Sequence, residues 1–88
     1  HQDWSIVDER YFSSLTFWIP LTDTTTENGC IYAIPYSHLL PCFPRGLALQ
    51  GKYDTLHEDL KPYMVPFACP AGTILVFDNR ILHYSPYN

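Results

Sequence analysis

The sequence predicts an all-β fold, a sandwich or barrel of short strands. Three observations carry that prediction. Apolar runs of five to seven residues, rich in β-branched and aromatic side chains, recur along the 88-residue chain between Pro, Gly and Asn turns. Eight Pro against four Gly interrupt the chain too often for long helices. Aromatic residues make up 16% of the chain, and strands take them readily.

The elements follow in order. Residues 15–21 (LTFWIPL) form the first strand. The polar run at 22–29 ends in Asn28-Gly29, a pair that readily takes the positive φ of a tight turn. Residues 30–34 (CIYAI) form the second strand, stopped by Pro35. From about residue 37 to 63 Pro41, Pro44, Gly46 and Gly51 break the pattern, leaving a long loop in which 55–60 (TLHEDL) makes one helical turn. Loops of that length in a small domain are commonly lids or binding segments. Residues 64–69 form a short strand, 70–72 a turn, 73–77 (TILVF) the clearest strand, 78–80 a turn, and 81–85 (ILHYS) the last strand. The total is about six strands around one small core. Phe17, Ile19, Leu75 and Phe77 are its expected apolar members.

Composition excludes several classes. With 47% apolar and 16% charged residues, the chain is not disordered. A net charge of −4 argues against a nucleic-acid or anionic-membrane binder. No apolar run approaches a membrane span, and no basic, apolar leader is visible, so a cytoplasmic setting is the expectation. Cys30, Cys42 and Cys69 match no metal or redox spacing and read as reduced thiols.

Chemistry concentrates at the two ends. His1-Gln2-Asp3 is a His-x-Asp, and in an extended segment positions i and i+2 project to one face. Far along the chain, the last strand carries His83 with Ser85 on the same face. Two imidazoles and a carboxylate on one octahedral face suit non-haem Fe(II) and leave positions for a co-substrate and O₂. Taken alone, such a set occurs in many β proteins, and an ordinary structural role stays open. A copper site on a terminal His1 is a further reading of the same residues.

The surrounding text is more specific. HQDW, then TFWIPLTDTTTENGCIYAIPYSH, then PAGTILVFDNRILHYSPYN resemble the phytanoyl-CoA dioxygenase-like family of Fe(II)- and 2-oxoglutarate-dependent oxygenases. The resemblance is weakest from residue 39 to 63. It implies a double-stranded β-helix, the cupin-like jelly roll, of which residues 1–88 are the central segment of one barrel domain. It implies Fe(II) held by His1, Asp3 and His83. It places Gln2 and Trp18 along the 2-oxoglutarate pocket, and Ser85 on the far carboxylate of that co-substrate. The implied reaction consumes O₂, hydroxylates a C–H bond of a small organic substrate and decarboxylates 2-oxoglutarate to succinate. A carboxylate at Asp3, rather than a small residue, favours oxygenation over halogenation.

Two departures stand out. The family's carboxylate-binding Arg is expected beyond residue 88, and Arg80, three residues before His83, points to the opposite face and reads as a turn charge. Tyr36 stands where the family often has Gly. The rival to the oxygenase is a metal-free barrel fragment acting as a binding module. Among the other polar residues, His38 reads as a hydrogen-bonding turn residue, His57 as exposed, and Arg45, Lys52 and Lys61 as surface charges. Trp4 and Tyr11 are candidate substrate-pocket walls.

Overall fold

The structure, a computed structural model, describes residues 1–46 and 51–86. Among the described residues five strands form: β1 Leu15–Trp18, β2 Ile31–Ala33, β3 Val65–Phe67, β4 Leu75–Asp78 and β5 His83–Tyr84. One short helix, α1 (His57–Leu60), lies between 3₁₀ turns at Asp54–Leu56 and Lys61–Tyr63, and a further 3₁₀ turn spans Ser37–Leu39. The strands build two antiparallel sheets, β1–β4 and β3–β2–β5. The polar run after β1 therefore carries the chain from one sheet to the other. Asn28 shapes that crossing: its Oδ1 accepts the Thr25 N–H at 2.6 Å and its Nδ2 donates to the Asp23 carbonyl at 2.9 Å. Gly29 follows at φ 91°.

The strands are shorter than the apolar runs. Pro20, which has no N–H to offer a ladder, lies just past β1, and its carbonyl accepts the Gly72 N–H at 2.9 Å. The run at 81–85 shrinks to β5 because Ile81 closes a turn on the Asp78 carbonyl and β2 pairs only Tyr32 with Tyr84 and Ala33 with His83. In the central loop, of which residues 47–50 lie outside the described residues, the helical turn expected at 55–60 is realised as a 3₁₀ turn running into α1.

Only Cys30, Ile31 and Leu82 form the fully buried apolar centre among the described residues. None of the four expected core residues is in it: Leu75 and Phe77 are only half-buried, and the other two are exposed. Phe17 is 65% and Ile19 49% exposed. Antiparallel pairing sets Thr16 opposite Phe77 and Trp18 opposite Leu75, so these four share the inner face, and Phe17 with Val76 lies on the outer one. Alternation identified the two faces of β1, but the inner one carries Thr16, a polar residue satisfied by hydrogen bonds described below. Tyr36 adopts the left-handed φ of 64° that Gly would take freely. For a residue with a Cβ that conformation costs about 1–2 kcal/mol.

Candidate metal centre

The first three residues lie along residues 79–83. The His1 backbone nitrogen donates to the His83 carbonyl at 3.0 Å, and the His83 N–H returns to the His1 carbonyl at 2.9 Å. The Asp3 N–H donates to the Asn79 carbonyl at 3.0 Å. This pairing, rather than sequence proximity, brings the two ends of the motif together.

Three side chains converge as a result. The Nε2 of His1 lies 3.8 Å, and the Nε2 of His83 3.6 Å, from Oδ1 of Asp3. One ligand atom from each residue lies within 4.8 Å of the other two. Neighbouring ligands at about 2.1 Å from one ion stand about 3.0 Å apart, so each of the two distances to Asp3 needs to shorten by under an ångström. His83 is buried, Asp3 partly so and His1 exposed, which makes a site with a fixed floor and an accessible rim. The His83 Nδ1 lies 2.9 Å from the Ile81 carbonyl. A carbonyl only accepts, so Nδ1 carries the proton, and in the neutral ring this tautomer leaves Nε2, the nitrogen facing Asp3, as the one with a free lone pair. The Phe77 ring, 4.9 Å from the His83 ring, backs the imidazole from the other sheet. These donors suit a divalent first-row ion: two imidazoles, one carboxylate and no thiolate.

Asp3 is held from three sides. Thr16 Oγ1 lies 2.6 Å from Oδ2. Asn79 takes its N–H, as described. The Arg45 Nε donates to its carbonyl at 2.6 Å. Arg45 corrects the expectation of a surface charge. Its side chain is 3% exposed and its two Nη atoms meet the Glu9 carboxylate, itself 6% exposed, at 2.6 and 2.9 Å. Nothing in the spacing of Glu9 and Arg45 announces this pair, since the partners come from separate loops.

The remaining expected site residues fall into two groups. Gln2 is buried, and its amide donates to the Arg80 carbonyl at 2.6 Å. With His1, Asp3, Trp4, Ile6, Thr16 and Asn79 it lines an open cleft of about 330 Å³, which takes in two of the three converging residues. Trp4 thus lines the same cleft as His1 and Asp3. Trp18 lies on the inner face of β1, two residues from Thr16, but does not line this cleft. Ser85 is exposed, and its hydroxyl donates to the Gly29 carbonyl at 2.8 Å. Arg80 pairs with Asp78 at 2.7 Å, as a turn charge would, and its guanidinium holds the Asp78 carboxyl below the usual carboxylate range. His38 has a buried Nδ1 with no hydrogen-bond partner among the described residues, against the expectation that it bonds at its turn. His57 is exposed, as expected.

A larger hollow, about 530 Å³, lies beside residues 7–10 and 42–44 and holds none of the three converging side chains. No helix of the described residues is long and apolar enough to cross a membrane.

Comparison with known proteins gives the family. The Phytanoyl-CoA dioxygenase (PhyH) family model matches residues 1–88. The chain is 33% identical to a phytanoyl-CoA dioxygenase of Arabidopsis thaliana and 31% identical to phytanoyl-CoA dioxygenase 1 of Oryza sativa subsp. japonica, in each case over 97% of this chain and 31% of the relative. It is 28% identical, over its whole length, to a phytanoyl-CoA dioxygenase domain-containing protein 1 homolog of Dictyostelium discoideum, covering 34% of that protein. The chain thus spans about a third of the length of these curated relatives. No solved structure matches it. A family match running the full length, over a β-rich chain whose His-x-Asp meets a remote His, leads to one assignment: the chain belongs to the phytanoyl-CoA dioxygenase family.

Proposed function

We propose that this chain carries the metal-binding segment of an Fe(II)- and 2-oxoglutarate-dependent oxygenase that hydroxylates a C–H bond of a small organic substrate. Its two sheets are then part of a double-stranded β-helix. The observation that carries the reading is the convergence of His1, Asp3 and His83 on one small volume, with His1 and Asp3 lining an open cleft. Family membership supports it at the level of a dioxygenase.

In this reading His1 Nε2, Asp3 Oδ1 and His83 Nε2 hold the ion. Bound Fe(II) supplies the activation of O₂, coupled to decarboxylation of 2-oxoglutarate to succinate and CO₂. The chain's own residues supply geometry. The Ile81 carbonyl keeps the His83 proton on Nδ1, so the other nitrogen is ready to bind. Phe77 covers the imidazole and excludes water from the inner side. Trp4 and Gln2 form part of the wall over the site. Gln2, Trp18 and Ser85 are the proposed co-substrate contacts. Ser85 must release the Gly29 carbonyl to donate to a carboxylate, because its single proton is engaged there.

The test is coupled turnover in the protein at its full natural length: succinate release alongside hydroxylated product. Asp3→Gly removes both a ligand and its negative charge, and turnover should fall by at least about a hundredfold. Asp3→Glu should fail as well, since ligand distances tolerate only about 0.2 Å. Near-normal turnover in both variants contradicts the reading.

A further inference from the structure

We infer that Thr16 is a positioning residue for the Asp3 carboxylate, acting with Asn79 as a two-link relay. The inference rests on the metal-binding reading above and goes beyond it, since neither residue is a ligand. Thr16 Oγ1 lies 2.6 Å from Asp3 Oδ2 and 2.8 Å from Asn79 Oδ1. A hydroxyl has one proton and cannot donate to both. The Asn79 amide resolves the conflict when its NH₂ faces Thr16, because amide oxygen and nitrogen exchange places by a half-turn. Asn79 then donates to Thr16, and Thr16 donates to Asp3. The order is directional, and the last link is a hydrogen bond to a charged acceptor, the stronger kind.

Both links have fixed anchors. Asn79 is buried, its N–H donates to the Ser14 carbonyl at 3.0 Å, and its carbonyl accepts from Asp3 at 3.0 Å. Thr16 sits within β1, opposite Phe77. A β-branched residue in a strand has few χ1 choices, so its hydroxyl stays aimed. The relay occupies Oδ2 and leaves Oδ1, the oxygen nearest both imidazoles, for the ion. This also accounts for a polar residue on the inner face of an otherwise aromatic and aliphatic strand.

The test is titration of the full-length protein with Co(II) under anaerobic conditions, read by its visible absorption bands, with Thr16→Val, Thr16→Ser and His83→Ala alongside wild type. Thr16→Val keeps shape and branching and removes only the hydroxyl. Its Co(II) affinity should fall by about 10–100-fold, the usual cost of losing a group that orients a ligand, and its bands should shift. Thr16→Ser restores the donor and should bind within a few-fold of wild type. Thr16→Ala stands in if Thr16→Val does not fold. Wild-type affinity and bands in Thr16→Val, with His83→Ala impaired, overturn the relay and leave the metal site standing. Equal loss in Thr16→Ser and Thr16→Val also overturns it, as that marks packing rather than hydrogen bonding. Absence of Co(II) binding in wild type, or unchanged binding in His83→Ala, overturns the metal site and the relay together.

Discussion

Replacing Arg45 by Met should destabilise the protein severely, for reasons that can be counted. The guanidinium donates to both Glu9 oxygens, to the Asp3 carbonyl and to the Phe43 carbonyl, all between 2.6 and 3.0 Å. Met fills similar volume and donates nothing. Glu9, with 6% of its side chain exposed, is left as a carboxylate with neither partner nor water. Breaking a buried pair in this way costs about 3–5 kcal/mol. A surface pair would cost under about 1 kcal/mol, so the two readings of Arg45 separate cleanly. Denaturant unfolding of the full-length protein gives the number. Adding Glu9→Leu should recover part of the loss, because no charge is then stranded, with a coupling of about 1–3 kcal/mol across the double-mutant cycle. A loss below 1 kcal/mol for Arg45→Met, or strict additivity with Glu9→Leu, would refute the buried pair.

Two further outcomes follow from the same coordinates. Tyr36→Gly should leave stability unchanged or raise it by up to about 1 kcal/mol, since relief of the left-handed strain slightly exceeds the entropy cost of Gly. A loss above that size in a thermal melt would mean the exposed Tyr36 ring makes a contact of its own. Asp78, whose carboxyl is held below its ordinary value of 3.8 by Arg80, contributes stability that is present above that pH and lost as pH falls below it. Asp78→Asn should flatten the acid limb of the stability–pH curve in that window and change little of its slope near neutrality; an unchanged acid limb would show that the pair is broken in solution.

The three converging residues were legible in the sequence, and less of the fold was. His1, Asp3 and His83 were legible because ligand types and the i, i+2 rule need only local geometry, and the flanking motifs supplied the partner. Element types along the chain were legible from apolar runs and Pro/Gly punctuation. Sheet membership was not: β1 and β2 are neighbours in sequence yet lie in different sheets, a choice made by pairing with distant strands. Phe17 and Thr16 show the same limit at one residue. Alternation separates their faces, but only the Thr16–Asp3 hydrogen bond shows which face turns inward. Arg45 was hidden for a related reason: a charged residue in a Pro-rich loop reads as exposed until its buried counter-charge, 36 positions away, is seen.

The central claim is that one ion binds between His1, Asp3 and His83. Its most direct test is a crystal structure of the anaerobic, Fe(II)-loaded protein, with anomalous scattering collected at the iron edge. The account predicts a single iron peak about 2.0–2.2 Å from His1 Nε2, Asp3 Oδ1 and His83 Nε2, the distances such donors show toward zinc. An empty position among these three atoms, or an iron peak held by other residues, would contradict it.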